Sequence, residues 1–304
     1  MNKYIIYIFL ILNVLNANEL ITPIPKTINY DIKKAKLGKK LFYETKLSHD
    51  NTISCASCHI LEDGGDDNVR VSYGINGKQG TRNSPTVFNS RYNSYQFWDA
   101  SVKSLKEQAY GPIHNPVEMG SNFKEIVPKL KKDNYYNNEF KNIYGEINEQ
   151  NIIDSIIEFE NTLITPNSKF DMYLNGNKNI LTNDEKKGYS YFKEYGCISC
   201  HNGINIGGNL IQKIGVMSSY KSNDFGRYIV TKDERDKYYF KVPSLRNVDI
   251  TAPYFHDGKI KTLSEAVSLM AKYQIGFEIS ENEVKSIVAF LKTLTGDNHL
   301  LVND

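Results

Sequence analysis

Several features are scarce in this chain, and each scarcity narrows what the protein can be. The formal net charge is +2 over 304 residues, which gives no sign of nucleic-acid binding. The apolar run at residues 4–15 is shorter than the roughly 20 residues that span a bilayer comfortably. Strand signals are sparse, no segment is of low complexity, and tryptophan occurs once, as Trp98. Only four cysteines occur, and two closely spaced pairs contain all of them.

The N-terminus has the pattern of a secretory signal peptide. Lys3 supplies a basic residue, residues 4–15 supply the apolar core, and Ala17 supplies a small residue before the expected cleavage point. We therefore predict a signal peptide over residues 1–17 and a location in the periplasm, with a retained N-terminal anchor as the alternative. Cleavage leaves about 287 residues (304 minus 17), which is enough for two ordinary domains.

One motif, C-x-x-C-H, occurs twice. It consists of Cys55, Cys58 and His59 in the first copy and of Cys197, Cys200 and His201 in the second. In this motif the two cysteines form thioethers with one c-type haem, and the histidine ligates its iron. A zinc ribbon spaces its pairs by about 15–20 residues, and a redox dithiol needs no histidine after it. We therefore predict two haem c groups, which consume the thiols that disulfides would otherwise use.

Helical periodicity dominates the rest of the chain. Apolar stripes predict helices over residues 27–42, 151–163 and 283–294, and a capping box at Thr182 and Glu185 predicts the start of another. The first helix and the capped helix each carry a glycine in mid-helix and each lead into a haem motif. A mid-helix glycine costs about 1 kcal/mol relative to alanine, and close approach by another helix would explain it.

This repeat predicts an all-α fold of two cytochrome c-like domains, each with one covalently bound c-type haem. The Thr-Pro-Asn sequence at residues 165–167 breaks the chain between them. We therefore predict domains over residues 18–164 and 165–304.

Further motifs follow in a fixed order between and after the haem motifs. They are a glycine-rich loop at 74–89, F-W-D at 97–99, E-Q-A at 107–109, P-V-E-M at 116–119, V-P-S-L-R-N at 242–247 and Y-F-H-D-G at 254–258. In these motifs the chain resembles the bacterial di-haem cytochrome c peroxidases and the related MauG-like enzymes, over nearly all of its length after the signal peptide. The resemblance implies that residues 18–164 hold the peroxidatic haem and residues 165–304 the electron-transfer haem.

The resemblance also implies roles for individual residues. Glu118 matches the distal acid/base that moves the peroxide protons, Gln108 matches the residue that holds peroxide or its water, and Trp98 matches the residue that carries electrons between the haems. Met270 matches the second ligand of the second iron, opposite His201. Taken alone, Glu118 reads as a solvated carboxylate, Trp98 as core filling, and Met270 as a core residue of a helix over residues 264–272.

A calcium ion between the domains is the third cofactor that the resemblance implies. Its ligands are the Asn83 side chain and the backbone carbonyls of Thr251 and Pro253, an all-oxygen set that suits Ca²⁺. Without the resemblance, the sequence around Asn83 predicts only a turn. His256 is then expected either to contact a ligand residue from behind or to lie at the interface, whereas His49 and His114 are expected to be ordinary polar or packing residues.

The sequence departs from the family at Ile75. Many family members carry at this position a histidine that binds the peroxidatic iron in the oxidised enzyme, and isoleucine cannot ligate iron. We therefore expect the first haem to be open at rest, unless Asn76 or His49 replaces that ligand. MauG-like enzymes also lack this histidine, but they carry a tyrosine where this chain has Met270.

The predicted function is periplasmic reduction of hydrogen peroxide, H₂O₂ + 2 e⁻ + 2 H⁺ → 2 H₂O. Electrons would come from a small donor such as a monohaem cytochrome c, through a small transient interface. The family resemblance favours a homodimer. The alternatives are a MauG-like oxidase that acts on a partner protein and a di-haem electron carrier without catalysis.

Overall fold

The computed structural model describes residues 20–297 and Val302; the predicted signal peptide at 1–17 and His299 lie outside the described residues. The described part is mostly helical, as predicted, with two short strands. Its elements are α1 (Ile32–Phe42), α2 (Leu105–His114), α3 (Phe123–Lys131), α4 (Asn134–Tyr144), α5 (Glu149–Asn161), α6 (Lys169–Leu174), α7 (Asn183–Glu194), β1 (Ile211–Lys213), α8 (Tyr228–Thr231), β2 (Tyr239–Lys241), α9 (Leu263–Met270) and α10 (Glu281–Lys292). Among the described residues, no helix combines the length and apolar character needed to cross a membrane.

Capping residues determine where the predicted helices begin. The capping box at Thr182 and Glu185 is confirmed at the start of α7. The expected start of the first helix at residue 27 is wrong, because the Asp31 carboxylate caps the helix and the preceding backbone is not helical. The other two predicted helices begin two residues earlier than expected, since the side chains of Asn148 and Ser280 cap α5 and α10.

The first half of the chain is taken as the part up to residue 164 and the second half as the part from residue 165. Two helix pairs form their frameworks, α1 with α5 in the first half and α7 with α10 in the second. In each pair a glycine of the first helix lies against the backbone of the second. A Cβ on Gly38 would overlap the carbonyl oxygen of Ser155, and a Cβ on Gly188 would overlap that of Ser286. The predicted close approach at both glycines is therefore confirmed, and the internal repeat is present in three dimensions.

The ends of the described chain cross between the halves. Ile21 is buried in the apolar core built around α7 and α10, although it precedes α1 in sequence. Val302 is buried in a cluster with Phe42 and Leu163 of the first half. The division into 18–164 and 165–304 stays a prediction, and these crossings join the two halves at both ends.

The strands β1 and β2 form one antiparallel pair in which Ile211 lies opposite Lys241. The Lys241 amide also donates to the carbonyl of Trp98 at 2.7 Å. This small sheet therefore connects the second half to the loop that carries the single tryptophan.

Candidate haem, peroxide and calcium sites

The first haem motif forms a tight turn after α1. Cys55–Ser57 is a 3₁₀ turn, and the amide of His59 donates to the carbonyl of Cys55 at 3.0 Å. The His59 Nδ1 lies 3.1 Å from the carbonyl oxygen of Gly65. A ring whose Nδ1–H bonds to a backbone carbonyl presents a neutral Nε2, which is the arrangement of a metal-ligating histidine.

The second motif repeats this geometry. Cys197–Ser199 is again a 3₁₀ turn, and the His201 amide donates to the Cys197 carbonyl at 2.9 Å. His201 Nδ1 lies 3.4 Å from the carbonyl oxygen of Ile206. Burial lowers the pKa of His201 to about 4, so its ring is neutral and able to act as a ligand at neutral pH.

The four cysteines are not arranged for the alternative chemistries. None forms a disulfide. Burial raises the pKa of the Cys58 thiol to about 11, and burial likewise raises that of Cys197 to about 11, whereas a redox-active dithiol has a lowered pKa. In the described chain, no group of three or more His, Cys, Asp or Glu side chains could hold a metal ion. These observations fit thioether attachment of haem and disfavour a zinc site.

A cavity of about 400 Å³ surrounds the second motif. Cys197, Cys200, His201 and Met270 all line it, and most of its wall is apolar. Met270 is the last residue of α9, after which the backbone continues as a π-helical turn, Ala271–Ile275, so the expected helix end at residue 272 is wrong. The cavity therefore places the predicted thioether ligand in the same space as the predicted histidine ligand and fits a haem.

Glu118 lies in a turn that follows α2. The turn folds back onto the helix, with the amides of Met119 and Ser121 donating to carbonyls of its last turn. Asn115 Nδ2 donates to Glu118 Oε1 at 2.7 Å. Burial raises the pKa of the Glu118 carboxyl above its usual value, and the Asn115 bond partly opposes that rise.

Glu118 is also close to the first haem motif. Burial is the main reason that the Cys58 pKa is raised, and the charge of the Glu118 carboxylate adds to the rise. Glu118 therefore lies within electrostatic range of the first haem motif, and its role as acid/base stays a prediction. Gln108 lies half-buried in the middle of α2, the helix against which the Glu118 turn folds.

Ile75 is buried against the same turn. Its amide donates to the Glu118 carbonyl at 2.8 Å, and its side chain reaches Gly120, where an added Cβ would strike Cδ1 of Ile75. The two residues suggested as replacement ligands have other surroundings: the side chain of Asn76 is exposed, and Nδ1 of His49 lies 2.9 Å from Glu125 Oε2. The apolar Ile75 side chain thus packs on the Glu118 turn, at the position where the family resemblance leads one to expect an imidazole in many members.

Trp98 lies between the two halves. Its Nε1–H donates to the carbonyl oxygen of Asn83 at 2.8 Å, and its ring meets that of His256 edge to face at 6.3 Å. His256 is 2% exposed and stacks on Phe240 at 4.1 Å, so it lies at the interface as expected. Trp98 also lines the cavity of the second motif, which places it on a route towards that haem site.

The predicted calcium ligands are all found among the residues that line the same cavity. Asn83, Thr251 and Pro253 all line it, and the amide of Asn83 donates to the carbonyl of His256 at 2.9 Å. The Asn83 side chain donates its own Nδ2–H to the carbonyl of Val69 at 3.0 Å, which leaves Oδ1 available as a ligand. An oxygen from each half could therefore bind one Ca²⁺.

Two residues of these sites were not predicted from the sequence. Asn115 precedes the P-V-E-M motif and is an ordinary turn residue until the fold brings its amide to Glu118. Lys241 precedes the V-P-S-L-R-N motif and is 6% exposed on the cavity wall. Its position in a short strand between Phe240 and Val242 gave no signal of its own, because the sequence does not tell which face of the strand turns inward.

Comparison with known proteins agrees with this geometry. Residues 32–179 match the family model described as di-haem cytochrome c peroxidase. The chain is 47% identical to the cytochrome c peroxidase Ccp of Escherichia coli K12, covering 92% of this chain and 62% of that protein. It is also 47% identical to the cytochrome c551 peroxidase of Nitrosomonas europaea, covering 93% of this chain and 86% of that protein.

A solved structure gives the same result for the fold. The crystal structure of a MauG-like protein associated with microbial copper homeostasis superposes with a TM-score of 0.80 at 27% identity, covering 90% of this chain and 93% of that one. The peroxidase matches confirm the predicted class of enzyme, an oxidoreductase of the cytochrome c peroxidase type. By these matches the chain belongs to the di-haem cytochrome c peroxidase family.

Proposed function

We propose that this protein reduces hydrogen peroxide to water in the periplasm, with electrons from a small redox protein such as a monohaem cytochrome c. The observation that carries this proposal is the position of Glu118, a half-buried carboxyl with a raised pKa beside the first haem motif. An acid/base works best when its pKa approaches the working pH, and burial moves Glu118 in that direction.

When bound, the haems would supply the electrons, with peroxide reduced at the first and electrons stored at the second. The chain's own residues would direct the protons. The Glu118 carboxylate would accept the proton of one peroxide oxygen and return it to the other, which leaves as water, and two electrons and two further protons would convert the remaining oxygen to the second water. Asn115 holds the carboxylate in one orientation, and Gln108 donates a hydrogen bond that positions the substrate.

The second half supplies the route for electrons. His201 and Met270 would ligate its iron, and a thioether ligand raises the reduction potential of a haem. Trp98 would carry electrons towards the first haem, held by its bond to the Asn83 carbonyl. Residues 18–164 then act as the peroxidatic domain and residues 165–304 as the electron-transfer domain, with Ca²⁺ between them and a homodimer as the working assembly.

The apolar side chain of Ile75 supports a first haem that is open in the oxidised resting enzyme. Such an enzyme would need no prior reduction. The test is an electron paramagnetic resonance spectrum of the oxidised protein, followed by peroxide without reductant. High-spin ferric haem that reacts at once is the expected result, whereas two low-spin haems without a reaction would show that another ligand closes the site.

The acid/base role is tested by Glu118→Gln, with Glu125→Gln as the matched control. Both glutamates accept a hydrogen bond from an asparagine three residues earlier, but the Glu125 side chain is 37% exposed and pairs with His49. Loss of general acid/base catalysis is expected to lower kcat/KM by about 10²–10⁴ in the first variant, with both haems attached. Turnover that survives in Glu118→Gln, or falls equally in the control, would contradict the role.

The MauG-like alternative is favoured by one observation, the isoleucine at position 75. Such an enzyme would oxidise residues of a partner protein and would need no cytochrome donor. Met270 on the wall of the second haem cavity counts against it, because the resemblance assigns a tyrosine to MauG-like enzymes there. Steady oxidation of reduced cytochrome c by peroxide separates the two. An electron carrier without catalysis would instead have both irons six-coordinate.

A further inference from the structure

Lys241 is a buried cation with no partner among the residues that the structure describes. It is the last residue of β2, it is 6% exposed, and it lines the cavity that contains His201 and Met270. In the described chain its ammonium group has no hydrogen-bond acceptor and no ion-pair partner, and burial alone lowers its pKa to about 8. At neutral pH it therefore still carries its charge.

The other deeply buried cation of the second half is satisfied within the protein. Arg246 Nη1 lies 2.7 Å from Asp171 Oδ1, and its remaining nitrogens donate to backbone carbonyls of Thr22 and Ile204. The cavity offers Lys241 no such group, because no aspartate or glutamate is among the described residues that line it. The anion that balances Lys241 must come from whatever occupies the cavity.

The backbone fixes the position of this lysine. Its amide donates to the Trp98 carbonyl at 2.7 Å, and its strand pairs with β1. Phe240, the preceding residue, stacks on the buried ring of His256. Burial of a charge without a partner is unfavourable, so its retention in an apolar cavity calls for a complementary negative charge.

We propose that Lys241 binds a propionate carboxylate of the second haem and thereby raises the reduction potential of that haem. The inference rests on the proposed di-haem function, since it requires haem in this cavity. Haem carries two propionates, and no other anionic group is implied for this space. A cation close to a haem favours the ferrous form, which has one positive charge less than the ferric form. Removing the cation should therefore lower the potential.

The test compares Lys241→Met, Lys241→Arg and the control Lys213→Met. Lys213 is an exposed lysine at the end of β1, so the control removes the same charge from the same small sheet. The potential of the second haem is measured by optical redox titration of the di-haem protein without peroxide. Lys241→Met should disfavour reduction at least tenfold, which corresponds to 59 mV for one electron. The arginine variant should stay near the wild type and the control should not move.

An infrared difference spectrum between the oxidised and reduced forms gives a second readout. The carboxylate bands of the propionates should shift in Lys241→Met and in Lys241→Arg, because each changes the partner of one propionate. Unchanged bands in both variants, or a potential in Lys241→Met that matches the control, would overturn the proposal. If Lys241→Met loses the second haem, the bands of the arginine variant decide the question.

Peroxidase turnover is measured separately on the same samples. If the potential shifts but the protein does not reduce peroxide, the assignment of Lys241 is supported and the proposed function is contradicted. If the protein turns over peroxide but neither the potential nor the carboxylate bands shift, the proposed function is supported and the role of Lys241 is contradicted.

Discussion

The hydrogen bond between Asn115 and Glu118 allows the proton-transfer role to be tested through Asn115→Ala. A base has to be deprotonated before it accepts a proton, so activity is lost as pH falls through the pKa of Glu118. Burial already raises that pKa, and the amide of Asn115 opposes the rise by stabilising the carboxylate. Removing the amide should therefore move the acid limb of the pH profile to higher pH.

The size of the shift follows from the bond that is lost. A hydrogen bond to a charged group contributes about 1.5–3 kcal/mol, and water recovers part of this because Glu118 is only half-buried. One pKa unit corresponds to about 1.4 kcal/mol. We expect the limb of kcat/KM for peroxide to move up by about one unit, while the rate on the alkaline side of the limb changes much less.

The assay is the oxidation of reduced cytochrome c at limiting peroxide, from pH 4 to pH 9. Asn122→Ala is the matched control, because Asn122 Nδ2 donates to Glu125 Oε1 at 2.9 Å with the same spacing in the N-terminal cap of α3. Haem content and unfolding temperature verify that both variants are intact. An unmoved limb in Asn115→Ala, or an equal shift in the control, would refute the assignment of Glu118 as the titrating base.

Two further predictions concern the framework and the electron route. Gly188→Ala should lower the free energy of unfolding by about 2 kcal/mol in chemical denaturation, because overpacking against the Ser286 backbone outweighs the gain in helix propensity of about 1 kcal/mol. The exposed neighbour Lys187→Ala is its control, and stability that rises in Gly188→Ala would contradict the close packing. Trp98→Phe removes the donor to the Asn83 carbonyl and should slow electron transfer between the haems in stopped-flow single turnovers. An unchanged rate with both haems in place would show that electrons take another route.

The parts of the structure that could be predicted from sequence were those encoded locally. Thr182 and Glu185 form a capping box within one turn of helix, and the apolar stripes of α5 and α10 follow helical periodicity. The mid-helix glycines at 38 and 188 also indicated a close contact, although the partner residues could not be known. The start of α1 was missed because the sequence alone does not show that Asp31, and none of the residues before it, caps the helix.

The site residues that were missed depend on contacts far apart in sequence. Lys241 follows an aromatic residue in a short strand, and only the packing of β2 behind the Trp98 loop turns its side chain into the cavity. Asn115 depends on the way the chain folds back onto α2. Neither contact has a periodicity or a spacing that a single sequence could display.

The two halves share a framework for haem but differ in the other predicted site residues. Each half has a glycine-packed helix pair, a 3₁₀ turn and a histidine whose Nδ1 faces a backbone carbonyl, so the repeat gives two equivalent frameworks for haem. The repeat does not extend to the other predicted site residues. The first half has the half-buried carboxyl of Glu118, and the second has the thioether of Met270. A carboxyl can move protons but leaves the iron open, whereas a thioether closes the iron and raises its potential. The crossings of Ile21 and Val302 join the halves, and under the proposed function one framework would bind substrate while the other would store electrons.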